Sequence, residues 1–332
     1  MAHELDIQNG KAAFAHVGER GWHGLGQKLS EDASIDVWRV EAGMGWTAQA
    51  ADVMYSVKSG NKQLMLKMPD RKLLYRSDNH AALSVVSNKF NVVQPGDTLD
   101  FYQHLIKTAG FKLETAGVLF GGRKFFALAR CGKNLKVMGE DEVAPYLLLA
   151  TACDGSMATC AHFTSVRVVC NNTLRMAIGA GGKAAKVRVP HNAVFDPESV
   201  RDELGIVDDL WSGFERTITR LAKTKLSRDE AIDFIAEQLK MEGSQYVNRE
   251  EMMEDSLALR NIIRLFDGDG KGASFKSSKG TAWGLLNAVT EYYDHHAGAK
   301  NTDRSRAFER AHLTDHATFK VQTANELFRM AA

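Results

Sequence analysis

Cysteine and proline are scarce in this chain, which has four Cys and five Pro among its 332 residues. Four cysteines are too few for a secreted scaffold that is held together by disulfides. No stretch approaches the roughly 20 consecutive apolar residues that a transmembrane helix needs. The first residues also lack the charged segment and apolar run of a signal peptide. We therefore expect a cytoplasmic protein.

The formal net charge is small, at +1, but it is unevenly distributed. Residues 1–195 hold 23 Lys and Arg against 17 Asp and Glu, which leaves 19 of the 42 basic residues and 24 of the 41 acidic ones for residues 196–332. A basic front and an acidic back indicate a polyanionic partner or head-to-tail association of copies. The alternative is an imbalance on solvated faces that has no function.

Short β-rich runs separated by turn residues fill the first part of the chain. Residues 54–57, 63–68 and 73–76 are predicted strands, with turns at Ser59-Gly60-Asn61 and at Pro69-Asp70. Further along, Gly121-Gly122 and Asp154-Gly155 each lie between two β-rich runs, and both predict hairpins. Between these regions, Asp97 is a candidate N-cap for a helix over residues 98–109.

Beyond Pro190 the spacing of apolar residues becomes helical. Ser227 and Glu230 fit a capping box, and Asn248 and Thr281 are candidate N-caps of later helices. The whole pattern predicts an α+β protein. It would have an antiparallel sheet domain over residues 1–192, with a few helices, and a helical region over residues 193–332 packed on it.

Four separated blocks, in this order, resemble the phage/plasmid-like protein family, which is labelled as a domain of unknown function. The blocks are Trp22-His23-Gly24-Leu25-Gly26, the run from Val85 to Gln94, the segment from Tyr146 to Leu174, and the run from Gly280 to Glu291. The resemblance implies a gene carried by phages, prophages and plasmids. It implies no activity and no catalytic residues, because none are established for the family.

Basic residues in strands and polar loops are the candidate binding residues. Such side chains can approach phosphates together with backbone N–H groups, although a plain solvated loop is the alternative. The candidates are Arg123, Lys124, Arg167, Lys183, Lys186, Arg188, Lys271, Lys276 and Lys279. The first six are expected to neutralise the backbone of a nucleic-acid strand, and the last three to act as a mobile clamp.

The resulting hypothesis is a DNA-binding protein of a mobile element, with single-stranded DNA as the favoured partner. A basic β-rich half and an acidic helical half are similar to phage single-strand annealing proteins, which act in recombination and form homo-oligomers. No cofactor is expected, and a binding protein is favoured over an enzyme. Two alternatives stay open: a metal-dependent hydrolase that uses His312, Asp315 and His316, and a non-catalytic protein that binds a host component.

Overall fold

The computed structural model describes residues 5–8, 10–18, 25–167, 172–175, 186–193, 196, 207–297 and 315–331. Sheet dominates the N-terminal part and helices dominate the C-terminal part, which confirms the predicted α+β class. The strands are β1 (Ile7–Gln8), β2 (Lys11–Ala12), β3 (Phe14–His16), β4 (Gln27–Lys28), β5 (Ala48–Ser59), β6 (Lys62–Arg76), β7 (Ala82–Ser87), β8 (Lys112–Leu119), β9 (Lys124–Arg130), β10 (Leu135–Val137), β11 (Asp141–Ala152), β12 (Thr159–Arg167), β13 (Asn172–Arg175) and β14 (Lys186–Val189). The helices are α1 (Ile35–Glu41), α2 (Pro95–Ala109), α3 (Val207–Lys223), α4 (Arg228–Gln238), α5 (Arg249–Asp255), α6 (Leu257–Arg264), α7 (Ala282–Glu291) and α8 (Asp315–Met330).

Nine of the described strands form one sheet around β11. The order along it is β13-β12-β11-β9-β8-β3-β4, with β10 also paired to β11 and β14 also paired to β12. The pairs are antiparallel except for β3 and β4, which run parallel. The two predicted hairpins are confirmed as β8–β9 and β11–β12.

A second sheet, of order β5-β6-β7, extends into a long hairpin. The predicted turn at Pro69-Asp70 is wrong, because both residues lie inside the 15-residue strand β6. Proline is tolerated there because the ladder to β5 is interrupted between Asp52 and Met54, so its missing N–H breaks no regular pairing. The predicted turn around Gly60 is present between the two strands.

Local cap chemistry sets the helix boundaries. Ser227 caps α4 in a capping box with Glu230, and Asn248 and Thr281 cap α5 and α7, as predicted. The prediction for α2 was wrong by one turn, because the helix begins at Pro95 and not after Asp97. Gln94 is the N-cap, and the backbone N–H of Gln94 donates a hydrogen bond to the Asp97 carboxylate at 2.8 Å. Proline has no N–H to satisfy, so it fits the first turn of a helix.

The main apolar core runs through the sheet and the helices, and a second, smaller cluster includes Phe14, Phe126 and Leu148. On one face of the sheet, the Tyr102 hydroxyl of α2 donates to the carbonyl oxygens of Ala127 and Leu147, at 2.9 and 2.8 Å. In the helical part, all ten residues of α7 are buried. Helix α7 contacts α3, α6 and α8, while α4 and α5 pack against α6.

Candidate nucleic-acid interface

The long hairpin projects from the molecule, and we call residues 49–72 the arm. None of its side chains is buried. It carries five Lys and Arg against two Asp. The basic residues are Lys58, Lys62, Lys67, Arg71 and Lys72. A two-stranded ribbon with both faces accessible can follow a nucleic-acid groove or strand.

The two faces of the arm differ chemically. Register pairs Tyr55 with Leu66 and Val57 with Leu64, and directly paired side chains lie on the same face. Tyr55, Leu64 and Leu66 are 44%, 42% and 40% exposed, so this apolar face is open to solvent. The opposite face holds the pairs Ser56–Met65, Lys58–Gln63 and Met54–Lys67. The arm therefore has an apolar face and a polar, basic face.

Arg76 fixes the base of the arm to the main sheet. Its buried guanidinium binds Asp6 at 2.6 Å and Asp78 at 2.7 Å, and lies 4.3 Å from the ring centroid of Trp46. It also donates to the carbonyl of Gly121 in the β8–β9 turn, at 3.3 Å. The hydrogen bond from Arg76 lowers the pKa of Asp78. Because the guanidinium is buried and two of its partners are charged, the arm has a firm attachment.

The β8–β9 turn brings two predicted cations to this attachment point. The guanidinium of Arg123 and the ammonium of Lys124 lie 5.9 and 5.1 Å from the ring centroid of Phe120. Phe120 has φ 55, a left-handed conformation that is uncommon for a non-glycine residue and turns the chain sharply here. Two cations and an aromatic ring are thus grouped beside the base of the arm.

Arg188 reaches the same end of the sheet through β14. Register aligns it with Cys160 and Ala150, while Lys124 pairs with Ala152, two residues further along β11. Strand alternation places Lys124 and Arg188 on one face, separated by three strand spacings, about 14 Å, across the sheet and by two residues along it. Arg188 is exposed, and it forms no ion pair within the described part of the chain.

The end of β14 is also tied to the base of the arm. His191 stacks on Phe90 with ring centroids 4.2 Å apart, and its backbone carbonyl accepts a hydrogen bond from the N–H of Asn91. Lys72 of the arm donates to the carbonyl of Phe90 at 2.8 Å. We call this region, formed by the arm, the β8–β9 turn and the end of β14, the arm end. Of the cations here, the sequence had indicated Arg123, Lys124 and Arg188 but none of the five in the arm.

Three further predicted cations can be placed only partly or not at all. Arg167 is paired through its backbone with Val143, in the row of residues that alternates with the row of Arg188. Lys186 is paired through its backbone with His162. The side chains of both lie outside the described part of the molecule, and Lys183 lies outside it altogether.

The remaining three, Lys271, Lys276 and Lys279, lie at the opposite end of β11. The backbone N–H of Lys276 donates to Glu140, and the neighbouring Ser277 hydroxyl donates to Asp141 at 3.0 Å. At roughly 3.3 Å per residue, the 12 residues of β11 separate this loop from the arm end by about 36 Å. The loop was predicted to be a mobile clamp. Its backbone is hydrogen-bonded at several points, although its three Lys residues are exposed.

Asp141 is the centre of a buried polar contact that the sequence did not indicate. Its carboxylate accepts from Ser277 and, at 2.8 Å, from the indole N–H of Trp283 in α7. Asp141 is fully buried. This contact joins the first residue of β11 to the helical part, and its role is structural.

The predicted metal ligands fall mostly outside the described residues. His312 lies outside them, and of Asp315 only the backbone, at the start of α8, is described. The ring of His316 packs against Tyr293 at 4.8 Å between centroids. The described residues contain no group of three or more His, Cys, Asp or Glu that could hold a metal ion.

The molecule is therefore an α+β protein with a basic two-stranded ribbon at one end of its main sheet. The chain belongs to the family described as "Domain of unknown function (DUF932)", whose model matches residues 82–314. No curated protein and no solved structure matches it. Within the described residues, no helix has the length and apolarity that a membrane span requires.

The family region explains some of the blocks noted in the sequence. It begins within β7, includes the run from Val85 to Gln94 that anchors the arm, and includes α7. It leaves out the arm itself. The run from Gly280 to Glu291 is architectural, because its helix is entirely buried and its Trp283 binds Asp141.

Proposed function

We propose that this chain is a nucleic-acid-binding protein of mobile genetic elements, and that the arm end holds a single strand of DNA. The observation that supports this is a set of eight cations at the arm end, five spread along the projecting arm and three beside its base. They are Lys58, Lys62, Lys67, Arg71 and Lys72 of the arm, with Arg123, Lys124 and Arg188 beside its base. A track of cations neutralises phosphates and releases counterions, which is the main source of sequence-independent affinity.

The electrostatics of the arm end favour an anionic partner. Asp52 pairs with Lys67 at 2.8 Å and Asp70 with Arg71 at 3.6 Å, so two arm cations are partly neutralised. Lys58 and Lys62 form no ion pair in the described part of the chain, and neither does Arg123. Exposed ion pairs are weak, so phosphates can displace the two carboxylates at small cost.

An aromatic ring beside the base of the arm suits unpaired bases. Phe120 is half-buried in the β8–β9 turn, beside Arg123 and Lys124. Stacking on such rings is tolerant of sequence and contributes about 1–3 kcal/mol per base. A strand held by its backbone in this way keeps its base-pairing edges accessible, as annealing of a complementary strand requires.

Titration of a fluorescent single-stranded oligonucleotide at several salt concentrations tests the proposal. Replacing Lys58 and Lys67 with Gln removes two cations from the polar face of the arm. We expect the slope of log K against log salt to fall by about 0.7 for each lost phosphate contact. Arg123→Gln with Lys124→Gln should act in the same direction.

The matched control is Lys276→Gln with Lys279→Gln, which removes two exposed cations at the far end of β11. Unchanged affinity in this control assigns binding to the arm end, and an equal loss would show that the strand spans both ends. Binding that does not depend on salt, or that survives the combined replacement of Lys58, Lys67, Arg123 and Lys124, would overturn the proposal. A duplex of the same sequence should bind more weakly if the bases stack on the protein.

A further inference from the structure

An open groove of about 680 Å³ lies between α4 and the start of α5, in the helical part. Its floor is apolar, with Ala236 and Met252 buried and Met241 half-buried. Val247 stands at its edge and is 90% exposed. A concave surface that combines apolar groups with charged ones, beside an exposed apolar side chain, suits a docked protein segment.

The rim of the groove is strongly acidic. Asp229, Asp233, Glu237 and Glu250 line it, against a single cation, Arg249. Arg249 binds Asp233 at 2.7 Å and Asp229 at 3.3 Å, whereas Glu237 and Glu250 form no ion pair within the described residues. Residues 228–255 as a whole hold nine acidic residues against three basic ones. A cationic segment with an apolar face is therefore the complementary ligand.

The arm has this chemistry. Its apolar face presents Tyr55, Val57, Leu64 and Leu66. Lys62 lies on the same face at the tip, because it is two residues from Leu64 and pairs with Ser59. We propose that the apolar face of one copy's arm docks in the α4–α5 groove of a second copy. Lys62 would then lie against the free carboxylates of the rim, while Lys58 and Lys67 face away from the groove.

The contact has to form between copies. The arm leaves the molecule at the Ala152 end of β11, whereas the helical part is joined to the Asp141 end, about 36 Å away. The arm also carries no buried side chain, so it does not fold back over its own body. Because the surfaces that meet are different, the association is head-to-tail and builds a ring or an open filament.

This geometry separates association from nucleic-acid binding. Lys62 at the tip is available to both partners, but Leu64 and Leu66 lie on one face of the ribbon and Lys58 and Lys67 on the other, so each face can be disabled alone. Sedimentation velocity of the full chain in the absence of DNA measures the association by itself. Its outcome does not depend on whether the arm end binds a strand.

Two variants test the contact from its two sides. Leu64→Ser with Leu66→Ser removes the apolar face of the arm, and Glu237→Lys with Glu250→Lys reverses the free charges of the rim. We expect wild type to associate with rising concentration, and each variant to associate about tenfold more weakly or worse. Thermal unfolding should show that both variants remain folded, because the changed residues are exposed.

Matched controls lie on the same elements. Met65→Ser changes an exposed apolar residue on the polar face of the arm, and Glu254→Lys reverses an exposed charge of α5 outside the groove. Both should associate as wild type does. A mixture of the arm variant and the groove variant is the sharpest test, because each supplies the surface that the other lacks. It should form a one-to-one heterodimer that grows no further.

Three results would overturn the proposal. Wild type that sediments as a monomer at all concentrations removes it. Groove variants that associate normally while arm variants do not would mean that arms pack against one another. A mixture of the two variants that stays monomeric would show that the two surfaces do not meet.

Discussion

The arm and helix α7 distribute polar and apolar side chains in opposite ways. In the arm, Tyr55, Leu64 and Leu66 are exposed, with no core behind them. In α7, Asn287, Thr290 and Glu291 are buried among apolar residues. Buried polar groups are tolerated where their hydrogen bonds are satisfied. The Asn287 amide, for example, donates a hydrogen bond to the carbonyl oxygen of Trp283 at 2.8 Å. The difference indicates that α7 belongs to the core of the fold and that the arm does not, which supports the role in binding that we propose for the arm.

The largest expected effect comes from Gly284→Ala in α7. An added Cβ would lie 1.9 Å from the backbone oxygen of Ser278, and a backbone atom in a packed loop cannot move away. We expect a loss of more than about 4 kcal/mol in the free energy of unfolding, or failure to fold. Urea denaturation measures this. Gly60→Ala at the arm tip, where nothing lies within 4 Å, should cost only about 1 kcal/mol despite its φ of +59.

A smaller effect is expected at the contact between β11 and α7. Asp141→Asn keeps the size of the side chain but replaces the carboxylate, whose Oδ2 accepts from both Ser277 and Trp283, with a neutral amide that is a weaker acceptor and adds an NH2 donor to a buried site. We expect a loss of about 2–4 kcal/mol. The control is the exposed neighbour, Glu140→Gln, which should lose less than about 1 kcal/mol. Equal values for the two variants would show that the buried contact adds nothing.

The smallest effect on stability is expected in the arm. Leu66→Ser should change the free energy of unfolding by no more than about 0.5 kcal/mol, because the side chain packs against no core. By contrast, Leu285→Ala in α7 should cost about 2–5 kcal/mol. Thermal or urea unfolding of the two variants compares them directly. A large loss for Leu66→Ser would mean that the arm contributes to the core after all.

Elements specified by nearby residues were predictable from the sequence. The caps at Ser227, Asn248 and Thr281 and the hairpin at Gly121-Gly122 depend on side chains within a few positions of one another. The start of α2 was displaced because both Asp97 and Pro95 carry helix-start signals. Asp97 serves as the third residue of the capping box and not as the cap.

Features that depend on distant partners were not predictable. Asp141 reads as an ordinary acidic residue at the start of a strand, and its partners Ser277 and Trp283 are more than 130 positions away. The arm was predicted only as short strands separated by turns, because alternation shows which side chains share a face but not whether a core lies behind them. Its lysines therefore looked like ordinary solvated charges, and only the fold places them beside Arg123 and Arg188.

The alternation of the two faces constrains how the arm can change in length. Adding one residue to each strand near the base would exchange the apolar and basic sides of everything beyond it. Adding two would preserve both sides and extend the ribbon by about 7 Å. The arm lies outside the family-matched region and buries nothing, so insertion in such paired steps leaves the rest of the fold untouched. Related chains can thus differ in reach while they keep the same chemistry at the tip.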